Sequence, residues 1–418
     1  MESWSIGSSC LTDEVQPRGY GQPISDPGTR PRLLFVINES YFLISHRLEL
    51  IHAATKRFEV HVAAPSDHVW APPGFEVSAL EAVGVTFHPI RLSRRGQRPA
   101  QELATLFDLF WQFRRLAPDV VHTLTIKPVI YGGLLARLFG IRVVVSITGL
   151  GQVFVASGIW GAIRKRVVLW LMRLACRGPR SFVICQTDHD RDSLATWGVV
   201  DLARSVVVGG AGVALDDFSP RPQREGTPIA IFAGRLLWEK GVGEFVDAVR
   251  CLRSRGAVGR FVLVGGTRPS NPDSVPSSQI EGWVRDGLIE WWGHRTDMPK
   301  VLGDAHVVCL PTRYGEGVPK ILIEAAAAGR PIVASDLPGC REVVKNERNG
   351  LIVPPGDVRS LVSAIERLMT DSELRRRYGD EGRRIAEQRF DVEKVVSATL
   401  TVYDDMLKLG SARQSPSK

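Results

Sequence analysis

Short apolar runs alternate with helix-forming stretches along almost all of this chain, and that alternation restricts it to a small set of folds. LLFVI (33–37), EVHVA (59–63), VVH (120–122), RVVVSI (142–147), SFVIC (181–185) and SVVVG (205–209) read as short, doubly buried strands. Helical stretches such as HRLELIHAATK and ELATLFDLFWQFRRL separate them. The second half repeats the pattern with IAIFAG, FVLVGG, LIEWWG, HVVCLP, PIVAS and GLIVP. Strand–helix alternation predicts an α/β fold of doubly wound parallel sheets, which bind ligands at the carboxyl ends of their strands.

A chain of 418 residues is too long for a single core, so two such sheets are expected. GGAGVALDDFSPRPQREGTP (209–228) interrupts the alternation with glycine, proline and charge, which places the division there. The expected organisation is a disordered polar tail at 1–30, a first Rossmann-like domain at 31–208 and a second at 209–389. A last amphipathic helix follows at 390–409, and a mobile tail at 410–418. The first thirty residues hold no apolar core of a signal peptide, and no run reaches the roughly 18 apolar residues of a membrane span.

The six cysteines (10, 176, 185, 251, 309, 340) form no C-x-x-C pair. Cys309 in a strand-like run and Cys251 in a helical one read as buried free thiols, which implies a reducing compartment. A net charge of +8 favours acidic partners: a phosphorylated substrate, an anionic membrane surface or nucleic acid. IWGAIRKRVVLWLMRLACR (159–177) interleaves Trp160, Ile163, Trp170, Leu171 and Leu174 with five basic residues. With RLSRRGQR (91–98) it marks the first domain as the membrane-facing half, a packed helix with a solvated basic face being the alternative.

The chemistry concentrates in GEGVPKILIEAAAAGRPIVASDLPG (315–339). Glu316 lies between Gly315 and Gly317 in a loop built for close approach. Pro319 suits the first position of the helix KILIEAAAA, which Gly329 and Pro331 stop. Glu324 stands about 7–8 Å further along that helix. The unpaired N–H groups near Gly317 and Val318 would favour a diphosphate. A carboxylate at each end of a phosphate site fits a nucleotide-sugar, Glu316 taking sugar hydroxyls and Glu324 ribose hydroxyls.

This segment resembles the signature of the retaining glycosyltransferases of family 4, which have the GT-B fold: two Rossmann-like domains facing across a cleft. IAIFAGRLLWEKGVGEFVDAV (229–249) resembles the strand, basic loop and helix of that family, with Arg235 and Lys240 matching the pair that grips the donor diphosphate. VLVGG (262–266) and WWGHRTDMPKVLGDAHVVCLPT (291–312) match later segments of the donor half. PRLLFVINESYFLISHRLELIHAATKRFEVHVAAP (31–65) and VVHTLTIKPVIYGGLLARLFGIRVVVSITGLG (120–151) resemble members that act on polyprenyl-diphosphate-linked saccharides.

The resemblance implies a metal-independent hexosyl- or N-acetylhexosaminyltransferase without a cofactor. It would use a nucleotide-sugar, UDP-linked, and a lipid-linked saccharide in bacterial surface-polysaccharide assembly, at the inner face of the cell membrane and without nucleic acid. Donor contacts fall on Gly234, Arg235, Lys240, Gly265, His294, Glu316, Gly317, Val318, Pro319 and Glu324. Arg235, Lys240 and Glu316 carry catalysis, joined by His122 at the end of VVH, although Leu124 stands where the family often has a second histidine. His46, Arg47 and Lys127 fall on the acceptor side. The crossing of the last helix back to the first domain is also implied.

Two imitations are set aside. VVVGGAGVAL (206–215) lacks the third glycine of a dinucleotide loop, and Asp188 and Asp190 suit the start of a helix better than a metal. A nucleotide-sugar epimerase of the same architecture and a non-catalytic polyanion-binding protein remain as alternatives.

Overall fold

A computed structural model describes residues 30–66, 78–92, 99–149, 158–268 and 271–411, and two all-parallel sheets organise them. The first comprises β1 (Arg32–Val36), β2 (Glu59–Ala64), β3 (Thr86–Pro89), β4 (Val120–Leu124), β5 (Arg142–Ile147), β6 (Ser181–Cys185) and β7 (Ser205–Val207). Their spatial order is β3-β2-β1-β4-β5-β6-β7. The second comprises β8 (Ile229–Ala233), β9 (Arg260–Val264), β10 (Glu290–Trp291), β11 (Val307–Leu310), β12 (Ile332–Ser335) and β13 (Gly350–Val353), in the order β10-β9-β8-β11-β12-β13. The apolar runs became strands, and most are covered on both faces: every residue of β4, β8, β11 and β12 is buried, while the edge strands β7 and β10 are half-buried. β3 was not anticipated.

Helices connect the parallel strands: α1 (Ser40–Thr55), α2 (Ser78–Glu81), α3 (Pro99–Leu116), α4 (Ile126–Phe139), α5 (Gly158–Cys176) and α6 (Asp188–Thr196) in the first half. The second has α7 (Val242–Ser254), α8 (Ser277–Arg285), α9 (Met298–Asp304), α10 (Lys320–Ala327), α11 (Pro338–Val343), α12 (Val358–Thr370) and α13 (Ser372–Arg389). One face of the first sheet packs on α3, α4 and α5, the other on α1 and on the last helix, α14 (Val392–Ser411). Val392, Val396, Tyr403 and Met406 of α14 join the core of Leu33 and Phe35, so the end of the chain closes over the first sheet. Tyr403 meets Phe58 edge-on at 5.7 Å between ring centres.

Both sheets reverse their strand order beside their first strand, between β1 and β4 and between β8 and β11. Such a switch point leaves a crevice at the carboxyl ends, because successive loops turn away from each other there. Gly234, Arg235 and Lys240 follow β8, Glu316 to Pro319 follow β11, and Lys127 follows β4.

Cys176, Cys185, Cys309 and Cys340 are buried free thiols, whereas Cys251 is exposed on the outer face of α7, against expectation. Asp188 and Asp190 open α6, whose first turn is capped by Thr187 accepting from the Asp190 N–H at 2.9 Å. Residues 1–29, 93–98 and 412–418 lie outside the described residues, so the terminal tails and most of the basic stretch at 91–98 have no structural account.

Candidate active site

On the second sheet, the loops after β8 and β9 touch through backbone alone. Gly234 and Gly265 both have φ of +151°, and a side chain on Gly265 would run into the Gly234 carbonyl. Gly234 N–H donates to Val264 at 2.9 Å, and the Trp291 indole donates to the Gly265 carbonyl at 2.9 Å. Arg235 follows, exposed at the cleft, and His294 stands beside Gly266. A 3₁₀ turn over Trp238–Lys240 then ends at Gly241, packed so closely on the Pro311 carbonyl that no side chain would fit. That turn buries Lys240 and aims its ammonium at the Glu316 carboxylate, with which it forms an ion pair.

Glu316 belongs to the loop after β11, the other side of the same switch point. α10 begins one residue later than the sequence suggested, with Pro319 as its N-cap, and Gly329 (φ +67°) turns the chain out of it. Glu324 is buried, 3.3 Å from Lys320 one turn earlier. Burial raises its carboxyl above the usual carboxylate range, and the Lys320 charge only partly opposes that.

The helix mouth differs from expectation. The Gly317 N–H donates to the Thr148 carbonyl at 3.2 Å, and the Val318 N–H to Gln186 Oε1 at 2.9 Å. Both amides expected to await a diphosphate are thus satisfied by the opposite half of the molecule, at the ends of β5 and β6. A buried backbone donor rarely stays unpaired, and here the first domain supplies the acceptors.

On the first sheet, α1 starts at Ser40, earlier than the sequence suggested, and breaks its regular geometry at Arg47 (φ −136°, ψ 15°). His46 stacks on Phe42 (4.4 Å between ring centres, 8° apart) and shares a 2.7 Å hydrogen bond with Ser45 Oγ. Burial, then the charges of Lys320, Arg47, Arg235 and Lys240, lower its pKa to about 3, so the ring is neutral at physiological pH. Cations of both halves thus act on His46, and two of them, Lys240 and Lys320, are matched by Glu316 and Glu324. Lys320 also donates to the Ser45 carbonyl at 2.8 Å, tying α10 to α1. A cavity of about 170 Å³ lies at this seam, with Ser45, His46, Arg47, Lys320 and Val396 in its wall.

Three residues expected on this side have partners of their own, and one of them is out of reach of the cleft. Arg47 is buried, and its Nη1 donates to the Gly210 carbonyl at 2.8 Å, a bond that supports the segment joining the two sheets. Lys127 pairs with Glu102 at 2.6 Å, and Tyr131 donates to the same carboxylate at 2.6 Å. His122 is no cleft residue. It is fully buried, its Nδ1 2.5 Å from Tyr403 Oη and its Nε2 2.7 Å from Ser146 Oγ. Burial lowers its pKa to about 3. Its side chain points to the α14 side of the sheet, where it fastens the last helix, so a direct role in the reaction is withdrawn.

Sequence reasoning passed over Gln186, Thr148, Lys320 and Arg268, whose charge reaches both Tyr41 and His294. It also passed over Thr125. This β-branched residue has φ of +72° at the end of β4, a strained conformation of the kind that collects at functional sites. Among the described residues, no three His, Cys, Asp or Glu side chains group as metal ligands.

Comparison with known proteins agrees with this geometry. Residues 227–371 match the family model "Glycosyl transferases group 1", and residues 45–211 match "Glycosyl transferase 4-like domain". The chain is 25% identical over 392 residues to N,N'-diacetylbacillosaminyl-diphospho-undecaprenol alpha-1,3-N-acetylgalactosaminyltransferase of Campylobacter jejuni, covering 90% of this chain and 99% of that one. It is 26% identical over 323 residues to UDP-Gal:alpha-D-GlcNAc-diphosphoundecaprenol alpha-1,3-galactosyltransferase of Escherichia coli, covering 73% and 80%. Among solved structures it resembles sucrose-phosphate synthase of Thermosynechococcus elongatus (TM-score 0.73, 21% identity, 91% and 100% covered). It also resembles Anabaena HepE in complex with UDP (TM-score 0.70, 19% identity, 90% and 100% covered). The expected GT-B architecture is therefore present, and the similarity is to glycosyltransferases rather than to an epimerase.

Proposed function

This chain belongs to the group 1, 4-like glycosyltransferases, and from that premise we propose that it moves a sugar from a UDP-sugar to a polyprenyl-diphosphate-linked saccharide, with retention of configuration. The paired Lys240–Glu316 and Lys320–Glu324, with Lys320 also reaching the Ser45 carbonyl of the first half, carry this reading. Arg235 and Lys240 would face the diphosphate, where charge accumulates as the glycosidic bond breaks and fixed cations stabilise most. Glu316 would then leave Lys240 for the sugar hydroxyls, and Glu324 would leave Lys320 for the ribose. The acceptor hydroxyl would form its bond to the anomeric carbon on the face that the diphosphate leaves, passing its proton to a diphosphate oxygen. With cations supplied by the protein, turnover should persist in EDTA. The acceptor class follows the two relatives with undecaprenyl-linked saccharides in their names.

A thermal-shift comparison of UDP-, GDP- and ADP-sugars tests the donor. A ligand at a hundred times its Kd stabilises by about 2.7 kcal/mol. UDP-sugars should raise Tm most, and no shift with any of them would overturn the donor assignment.

A lipid-linked acceptor would require approach to a membrane, and no helix among the described residues is long and apolar enough to cross one. α5 exposes Ile163, Val167 and Trp170 at 47%, 50% and 57%, on a helix whose Arg164 and Arg166 are also exposed. α3 exposes Leu103, Phe107 and Trp111 at four-residue spacing on the same side of the sheet. Apolar stripes with basic neighbours fit the inner face of an anionic membrane. Neutralising Arg164 and Arg166 should weaken binding to anionic liposomes by about 1 kcal/mol per charge. Unchanged binding by a folded variant would assign α5 to packing alone.

A further inference from the structure

We propose that Gln186 is a positioning residue that reaches across the cleft and holds the loop bearing Glu316. This rests on the glycosyltransferase reading above. Gln186 directly follows β6 and is 7% exposed, and its carboxamide oxygen accepts the buried Val318 N–H at 2.9 Å, two residues from Glu316. One residue nearer, the Thr148 carbonyl accepts from Gly317. The fit between the halves is close enough to demand glycine on both sides. A Cβ on Gly149 would stand 2.6 Å from the Gly317 nitrogen, and one on Gly317 2.7 Å from the Thr148 oxygen. A Cβ on Gly317 would also strike Gln186 Oε1, and one on Gly339 would strike the Gly317 carbonyl from the other side. The loop is thus held between Gly149 and Gly339, and Gln186 gives it a side-chain hydrogen bond from the first domain.

The residue type suits the task. A neutral amide oxygen satisfies the Val318 donor without bringing negative charge to a cleft meant for a diphosphate, as a carboxylate there would. Glu316 is then aligned only while the two halves face each other as seen here, so its grip on the sugar depends on their approach.

Two variants test this. Gln186→Met keeps the shape and loses the acceptor, and Gln186→Glu keeps the acceptor and adds a charge. Hydrogen exchange of the 313–322 segment, measured without ligand, should be faster in Gln186→Met and near wild type in Gln186→Glu. With UDP-galactose and undecaprenyl-diphosphate-linked N-acetylglucosamine, Gln186→Met should lower kcat about tenfold while UDP affinity stays within about twofold. Gln186→Glu should recover kcat at a raised donor KM. Wild-type exchange and kcat in Gln186→Met, or a Gln186→Glu variant no better than Gln186→Met, would overturn the proposal. An effect confined to UDP affinity would do the same. Failure of the wild-type protein to use any UDP-sugar would instead count against the donor reading, and the exchange measurement would still decide the role of Gln186.

Discussion

Glu316→Gln and Lys240→Ala should each reduce turnover by about a hundred- to a thousandfold while leaving the fold intact, the usual cost of removing one preorganised charged contact. Lys240 is delivered by a 3₁₀ turn locked under Gly241, and Glu316 by a loop held against the first domain. Neither is part of an apolar core cluster, so the loss should appear in kcat rather than in Tm. Their direct ion pair adds a second expectation. Removing Lys240 leaves Glu316 without its counter-charge beside an anionic substrate, so the double variant should lose much less than the product of the single losses. Near-normal kcat in either folded single variant would remove the residue from the site.

Glu324→Gln should do two opposite things. Burial raises the folded-state pKa of Glu324 above its unfolded value. Such a group contributes stability below its unfolded pKa and loses it as pH rises through the folded one, so ionised Glu324 costs stability at neutral pH. The glutamine variant should therefore have the higher Tm at pH 8, with the difference closing as pH falls into the carboxylate range. If ribose hydroxyls need a charged acceptor there, kcat/KM for the donor should fall about ten- to a hundredfold. A lower Tm at pH 8 would show that the pair with Lys320 outweighs burial. Unchanged kcat/KM would take Glu324 out of donor binding. A buried carboxylate that costs stability and is matched to one cation is understandable where its use comes with the substrate.

Much of this architecture was legible because parallel strands covered on both faces must be apolar throughout, and runs such as RVVVSI and IAIFAG can be little else. β3 escaped because TFHP is an edge strand of four residues, none of them buried, with a proline at its end. In the second half, local sequence carried the information. Glycines at 234, 241 and 265 sit where backbones touch, and the spacing of Glu316 and Glu324 spans one helix start.

What escaped was long-range. Gln186 meets Val318 132 residues away, and Lys320 meets Ser45 275 residues away, so no local pattern announces either. The same distance explains the misreading of His122. A histidine expected at a strand end looks catalytic until the strand runs on to Leu124 and Tyr403, 281 residues later, closes over it. The expectation of open amides at Gly317 and Val318 failed for a related reason: helix-start donors suit an anion, but also any carbonyl that the opposing domain presents.

The most direct measurement is the product itself. Purified protein with an α-linked UDP-sugar and undecaprenyl-diphosphate-linked N-acetylglucosamine should give an elongated lipid-linked saccharide. NMR of its new anomeric proton should show an α-linkage, because the cleft presents cations for a leaving diphosphate and His122, once the candidate base opposite it, is enclosed by Tyr403 and Ser146. A β-linked product, or a changed nucleotide-sugar with no acceptor consumed, would contradict transfer with retention at this site.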